Sequence, residues 1–111
     1  MINKLDEIIL KLTKNFNIVF DDFKGIYLFG VHTDGNLHED EDIELVALFD
    51  IEDKSKREQI WPIIGKLETE LGICIDLYPI TQAQFEADEE LFEQVNENNV
   101  FYNKSGQKET K

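Results

Sequence analysis

Two acidic residues, Asp42 and Glu44, stand two positions apart at the mouth of an otherwise apolar run, Ile43 to Phe49. No other feature limits the folds open to this chain so tightly. A short apolar run bounded by polar residues reads as a buried strand. Side chains at i and i+2 leave a strand on the same side, so the two carboxylates project together. Like charges held this way repel each other unless a cation lies between them. Upstream, Ile26 to Phe29 makes a second apolar run closed by Gly30, and the segment between the runs, VHTDGNLHEDED, is polar with Gly35 and Asn36 as breakers. Two strands joined by a loop follow. Taken alone, that loop reads as an ordinary solvated one.

A third carboxylate, Asp76, interrupts the run from Ile73 to Ile80, on the strand face it shares with Cys74 and Tyr78. Carboxylates are seldom buried without a partner. A lysine could serve any one of the three acids, but no Lys or Arg occurs between Lys24 and Lys54. The acids therefore call for a shared reason, for which lysine salt bridges are the less attractive choice and a solvated acidic rim the weaker alternative. His32 and His38 could ligate a metal, yet they lack the tight spacing and cysteine partners of a zinc site. Cys74, the single cysteine, excludes an internal disulfide and is expected as a buried, reduced thiol.

The remaining elements follow from periodicity. Ile2, Leu5, Ile8 or Ile9, Leu12 and Phe16 recur at steps of three and four, one stripe of an amphipathic helix. A second helix is expected after Asp50, with Ser55 and Glu58 as a capping box, Ile60, Ile63 or Ile64, Leu67 and Leu71 as its stripe, and Gly72 as its end. Pro62 inside that pattern predicts a kink or a later start. Thr81 and Gln84 form another capping box ahead of Phe85, and Leu91 or Phe92 with Val95 predict a further helical turn or two ending near Asn98 and Asn99. Val100 to Tyr102 are expected to form a short edge strand or to dock on the core. The order predicts an α+β domain, a small mixed sheet with helices mainly on one face. The expected domain is 1–102, with 103–111 a polar, disordered tail.

The formal net charge is −13, which argues against a nucleic-acid duplex or an anionic membrane surface as partner. No apolar stretch approaches the roughly 20 residues of a membrane span, and no basic-then-apolar leader is present. The expected location is cytoplasmic.

The segment FGVHTDGNLHEDEDIEL resembles the signature of the nucleotidyltransferase superfamily that includes DNA polymerase beta, in particular its minimal bacterial members. That signature is an apolar residue, Gly, Gly or Ser, about ten residues, then Asp, an apolar residue, and Asp or Glu. Here it reads Phe29, Gly30, Val31, ten residues, Asp42, Ile43 and Glu44. Asp76 in ICIDLY stands where the family draws its third carboxylate from a later strand, and the likeness extends over nearly the whole chain. The resemblance implies that Asp42, Glu44 and Asp76 bind two Mg2+ or Mn2+ ions, that Asp76 also draws the proton from an acceptor hydroxyl, and that Gly30 and Val31 lie against the triphosphate of a nucleotide, ATP being favoured. It implies transfer of a nucleoside monophosphate to a protein or small-molecule acceptor, and a helical partner of the HEPN class in a toxin–antitoxin module. Two departures point the other way. Val31 offers no hydroxyl to a phosphate, and the following loop carries surplus acid and no cation, the nearest later ones being Lys54, Lys56 and Arg57. The alternative is a member with weak or lost catalysis that keeps the fold and acts as an antitoxin-like binding partner.

Overall fold

The computed structural model describes residues 4–38, 40–98 and 100–110. The elements in chain order are α1 (Lys4–Val19), β1 (Phe23–Phe29), a 3-10 helix (Gly30–Asp34), β2 (Ile43–Phe49), α2 (Lys54–Leu71), β3 (Ile75–Thr81), α3 (Gln82–Ala87), α4 (Glu89–Asn98), β4 (Val100–Asn103) and β5 (Lys108–Thr110). The strands form one mixed sheet in the order β3-β2-β1-β4-β5. Only the β2–β3 pair is parallel among the described strands. Parallel neighbours need a crossover, and α2 provides it.

Strand parity sorts the side chains onto two faces. Ile43, Leu45, Ala47 and Phe49 of β2 turn toward the buried stripe of α1 (Leu5, Ile8, Ile9, Leu12, Phe16) and toward Ile60, Ile64 and Leu67 of α2. Val46 and Leu48 turn the other way, into a smaller cluster with Phe29, Phe85 of α3 and Val95 of α4. The two long helices thus cover one face and the short pair only part of the other. That leaves the start of β2 and β3 for the candidate site.

Phe16, Phe20, Phe23 and Phe49 close the far end of the main core, with ring centroids 5.3 to 5.9 Å apart. Lys56 lies over them, its Nζ 4.6 Å from the centre of the Phe49 ring. The same ammonium pairs with Asp22 and donates to the Ile51 carbonyl at 2.6 Å. Burial works to raise the Asp22 carboxyl, but the hydrogen bond from Lys56, the Ile51 amide and the Lys56 charge outweigh it and hold it below its ordinary value. The stability from this pair is therefore full above the unfolded carboxylate range and fades as pH falls through the lowered folded value.

Several expectations change. The cap of α2 is Asp53, whose carboxylate accepts from the Lys56 amide at 2.8 Å. Ser55 lies inside the helix, because an extended residue with a better acceptor stands two positions earlier. The helix runs through Pro62. Cys74 is exposed rather than buried: it precedes β3 on the parity of Asp76 and Tyr78, while Ile73, Ile75 and Leu77 take the core side. Residues 103–110 are not a free tail. Gly106, at φ 83°, turns the chain so that β5 pairs with β4, and β4 lies inside the sheet rather than at its edge. The Thr81–Gln84 capping box and the left-handed Gly72 at the end of α2 stand as the sequence suggests.

Candidate functional site

The site is built where β1 ends and β2 and β3 begin. Phe29 pairs with Glu44 across β1 and β2, and Glu44 pairs with Asp76 across β2 and β3. Parity sends Glu44 and Asp76 to the same sheet face, away from the main core. Both are half-buried, and Asp42, two residues before Glu44, is exposed. Gly30 follows Phe29 with φ +80°, and a Cβ there would fall 1.9 Å from Glu44 Oε2. The bare glycine backbone is what lets this carboxylate lie against the turn. The backbone of Val31 continues the 3-10 helix; its side chain lies outside the described residues.

The electrostatics record the crowding. Burial first, and then the charges of Asp76 and Asp42, raise the Glu44 carboxyl above its ordinary value, with His32 acting in the opposite direction. A carboxylate so placed is stabilised by any cation that reaches it. The Tyr78 hydroxyl donates to Asp76 Oδ2 at 3.2 Å, and the Asp76 charge beside it raises the phenol above its usual range. Sequence reasoning put Tyr78 on the face of Asp76 but missed this contact, which the i, i+2 spacing could have signalled. Lys56 and Arg57 are engaged with Asp22 and Glu52 beyond the opposite end of β2, so neither supplies the charge that the loop lacks.

The loop after Gly30 is stitched rather than freely solvated. Thr33 donates to the Gly30 carbonyl at 2.9 Å, His32 Nε2 to the His38 carbonyl at 3.1 Å, and the Asn36 amide to Asp34 at 2.9 Å. His38 Nε2 meets Asp34 Oδ2 at 2.8 Å. The Asn36 amide, followed by His38, lowers the Asp34 carboxyl. His32 is fully buried, and its Nδ1 has no hydrogen-bond partner. The two imidazoles pack edge to face at 5.3 Å. Their main partners are each other and the loop, and nothing in the spacing of the two histidines foretold this.

Among the described residues, no group of three His, Cys, Asp or Glu side chains is gathered closely enough to hold one metal ion. The donor set nevertheless fits a hard divalent cation in its chemistry: oxygen ligands from Asp42, Glu44 and Asp76, two of them in direct register, with mutual repulsion for a cation to relieve.

A mixed sheet opening on a glycine turn, with acids on adjacent strands beside it, defines a nucleotidyltransferase-like fold. The family model of the nucleotidyltransferase domain matches residues 5–103, and the chain belongs to that family. Among solved structures it is similar to two variants of the toxin–antitoxin MntA-HpeT. One carries a tyrosine-to-alanine substitution; the match is 27% identical with a TM-score of 0.52, and covers 76% of this chain and 65% of that one. The other is a double aspartate-to-glutamate variant, 26% identical with a TM-score of 0.54 over 80% of this chain and 67% of that one. This chain therefore spans just under two thirds of the first relative's length. No curated protein matches it significantly.

Proposed function

We propose that the protein is a metal-dependent nucleotidyltransferase that moves a nucleoside monophosphate from a nucleoside triphosphate, ATP by preference, to a hydroxyl on a protein or small-molecule acceptor. The observation that carries this reading is the Glu44–Asp76 register beside the Gly30 turn, against which the Glu44 carboxylate lies. Asp42, Glu44 and Asp76 would hold two Mg2+ or Mn2+ ions. When bound, such ions neutralise charge at the attacking and leaving oxygens. Asp76 accepts the proton of the attacking hydroxyl. The triphosphate would lie against the Gly30 turn, near the backbone of Gly30 and Val31. Likeness to a toxin–antitoxin assembly supports a protein partner, which we take to be a helical HEPN-type chain, and a cytoplasmic setting accords with it. Among the described residues no helix is long and apolar enough to cross a membrane.

A second reading is a catalytically reduced, antitoxin-like binding protein. It is favoured by the cation-free stretch between Lys24 and Lys54 and by carboxylates that are not drawn together. Electron paramagnetic resonance of Mn2+ in the presence of ATP separates the two. The wild type is expected to withdraw Mn2+ from solution, and the Asp42→Asn, Asp76→Asn double variant at least tenfold less. Equal Mn2+ uptake by the two proteins would leave only the binding role.

A further inference from the structure

Tyr78 occupies a position that the proposed reaction leaves unused. By register it belongs to the row of Val46, one step along the strand from the Glu44–Asp76 row. Its side chain leans back toward that row. The hydroxyl reaches Asp76 Oδ2 at 3.2 Å, and the ring lies 6.1 Å from that of Phe29, the residue before the Gly30 turn. Tyr78 is also 44% exposed, so a nucleotide at the turn can approach its oxygen from solvent. An acceptor hydroxyl in nucleotidyl transfer needs a carboxylate within hydrogen-bond reach and an open path to the α-phosphate. Tyr78 has the first, and its ring stands next to the residue that leads into the Gly30 turn, where the proposed function seats the triphosphate.

The geometry points to Tyr78 as an internal acceptor: the protein nucleotidylates its own Tyr78 hydroxyl. This rests on the reading of Asp76 as the proton acceptor of a nucleotidyltransferase site. In the step, Tyr78 Oη forms a bond to the α-phosphorus of a nucleoside triphosphate as its proton passes to the Asp76 carboxylate. The bond from the α-phosphorus to the oxygen bridging to the β-phosphate breaks, and pyrophosphate leaves with the electron pair. The product is a phosphodiester joining Tyr78 to the nucleoside. No oxidant or further reactant is required.

The test is intact-mass measurement and peptide mapping of the whole purified chain after incubation with ATP and Mn2+, with metal-dependent ATP binding measured on the same samples. The wild type is expected to gain the mass of one adenylyl group on the peptide holding residues 75–81. Tyr78→Phe, which keeps the ring, is expected to bind ATP as before and to gain nothing. Asp76→Asn is expected to lose the adduct although Tyr78 is present. A wild type that binds ATP with metal yet stays unmodified would overturn the internal-acceptor role while leaving the proposed function standing. So would an adduct that persists in Tyr78→Phe. Absence of metal-dependent ATP binding in the wild type would overturn both.

Discussion

Glu44→Gln is expected to make the metal-free protein more stable at neutral pH while removing its ability to be stabilised by ATP with Mg2+. Glu44 lies in register with Asp76, and burial together with the charges of Asp76 and Asp42 raises its carboxyl. A group whose folded value is raised costs stability when ionised. That cost is full above the folded value, shrinks as pH falls through it, and is gone below the unfolded value of about 4.3. Gln removes the charge and keeps the shape, so the gain should be roughly 0.2 to 1 kcal/mol, the usual scale for a cross-strand pair. It should vanish on acidification. With ATP and Mg2+ the order is expected to reverse under the proposed function, because a ligand that binds only the folded state stabilises it and the variant would lack one of the carboxylates proposed to hold the metal. Thermal unfolding at several pH values, with and without the ligands, checks both halves. A variant less stable than wild type at pH 7 without metal would contradict the assigned repulsion.

Phe49→Ala is expected to cost about 3 to 5 kcal/mol. Phe49 is 2% exposed, contacts three other rings at 5.3 to 5.8 Å and lies beneath the Lys56 ammonium at 4.6 Å. Its loss opens a cavity that β2 and α1 cannot close, and it uncovers the apolar side of the Lys56–Asp22 pair. Domains of this size are stable by only about 5 to 15 kcal/mol, so chemical denaturation should show the midpoint falling by roughly a fifth or more. Phe49→Leu keeps most of the apolar volume and should lose less than half as much. A Phe49→Ala cost under about 1 kcal/mol would mean that the aromatic cluster is not the closure of the core.

The part of the site that depends on local pattern was legible in the sequence. Strand parity put Asp76 with Tyr78, and the amphipathic stripe of α1 was plain from Leu5 to Phe16. The same parity argument put Asp42 on the strand beside Glu44, whereas β2 begins at Ile43 and Asp42 is exposed just before it. What no local rule supplies is register: only the crossover through α2 sets Glu44 opposite Asp76. Cys74 misled because the run ICI looks uniformly apolar, although its parity matches that of Asp76. The burial of His32 depends on how the whole loop folds over itself. The strand β5 has no hydrophobic alternation to detect; Lys108 to Thr110 pair through their backbone, with only the Ser105–Gly106 turn as a signal. Asp53 took the helix start from Ser55 because capping is decided by backbone dihedrals as well as residue type.

Calorimetric titration of ATP into the purified protein, with and without Mg2+, beside an Asp42→Ala, Glu44→Ala double variant, tests the central claim most directly. The account predicts binding that requires the metal and is lost in the variant while the variant remains folded. Failure of the wild type to bind ATP at millimolar concentration with Mg2+ present, or equal binding by the two proteins, would contradict it.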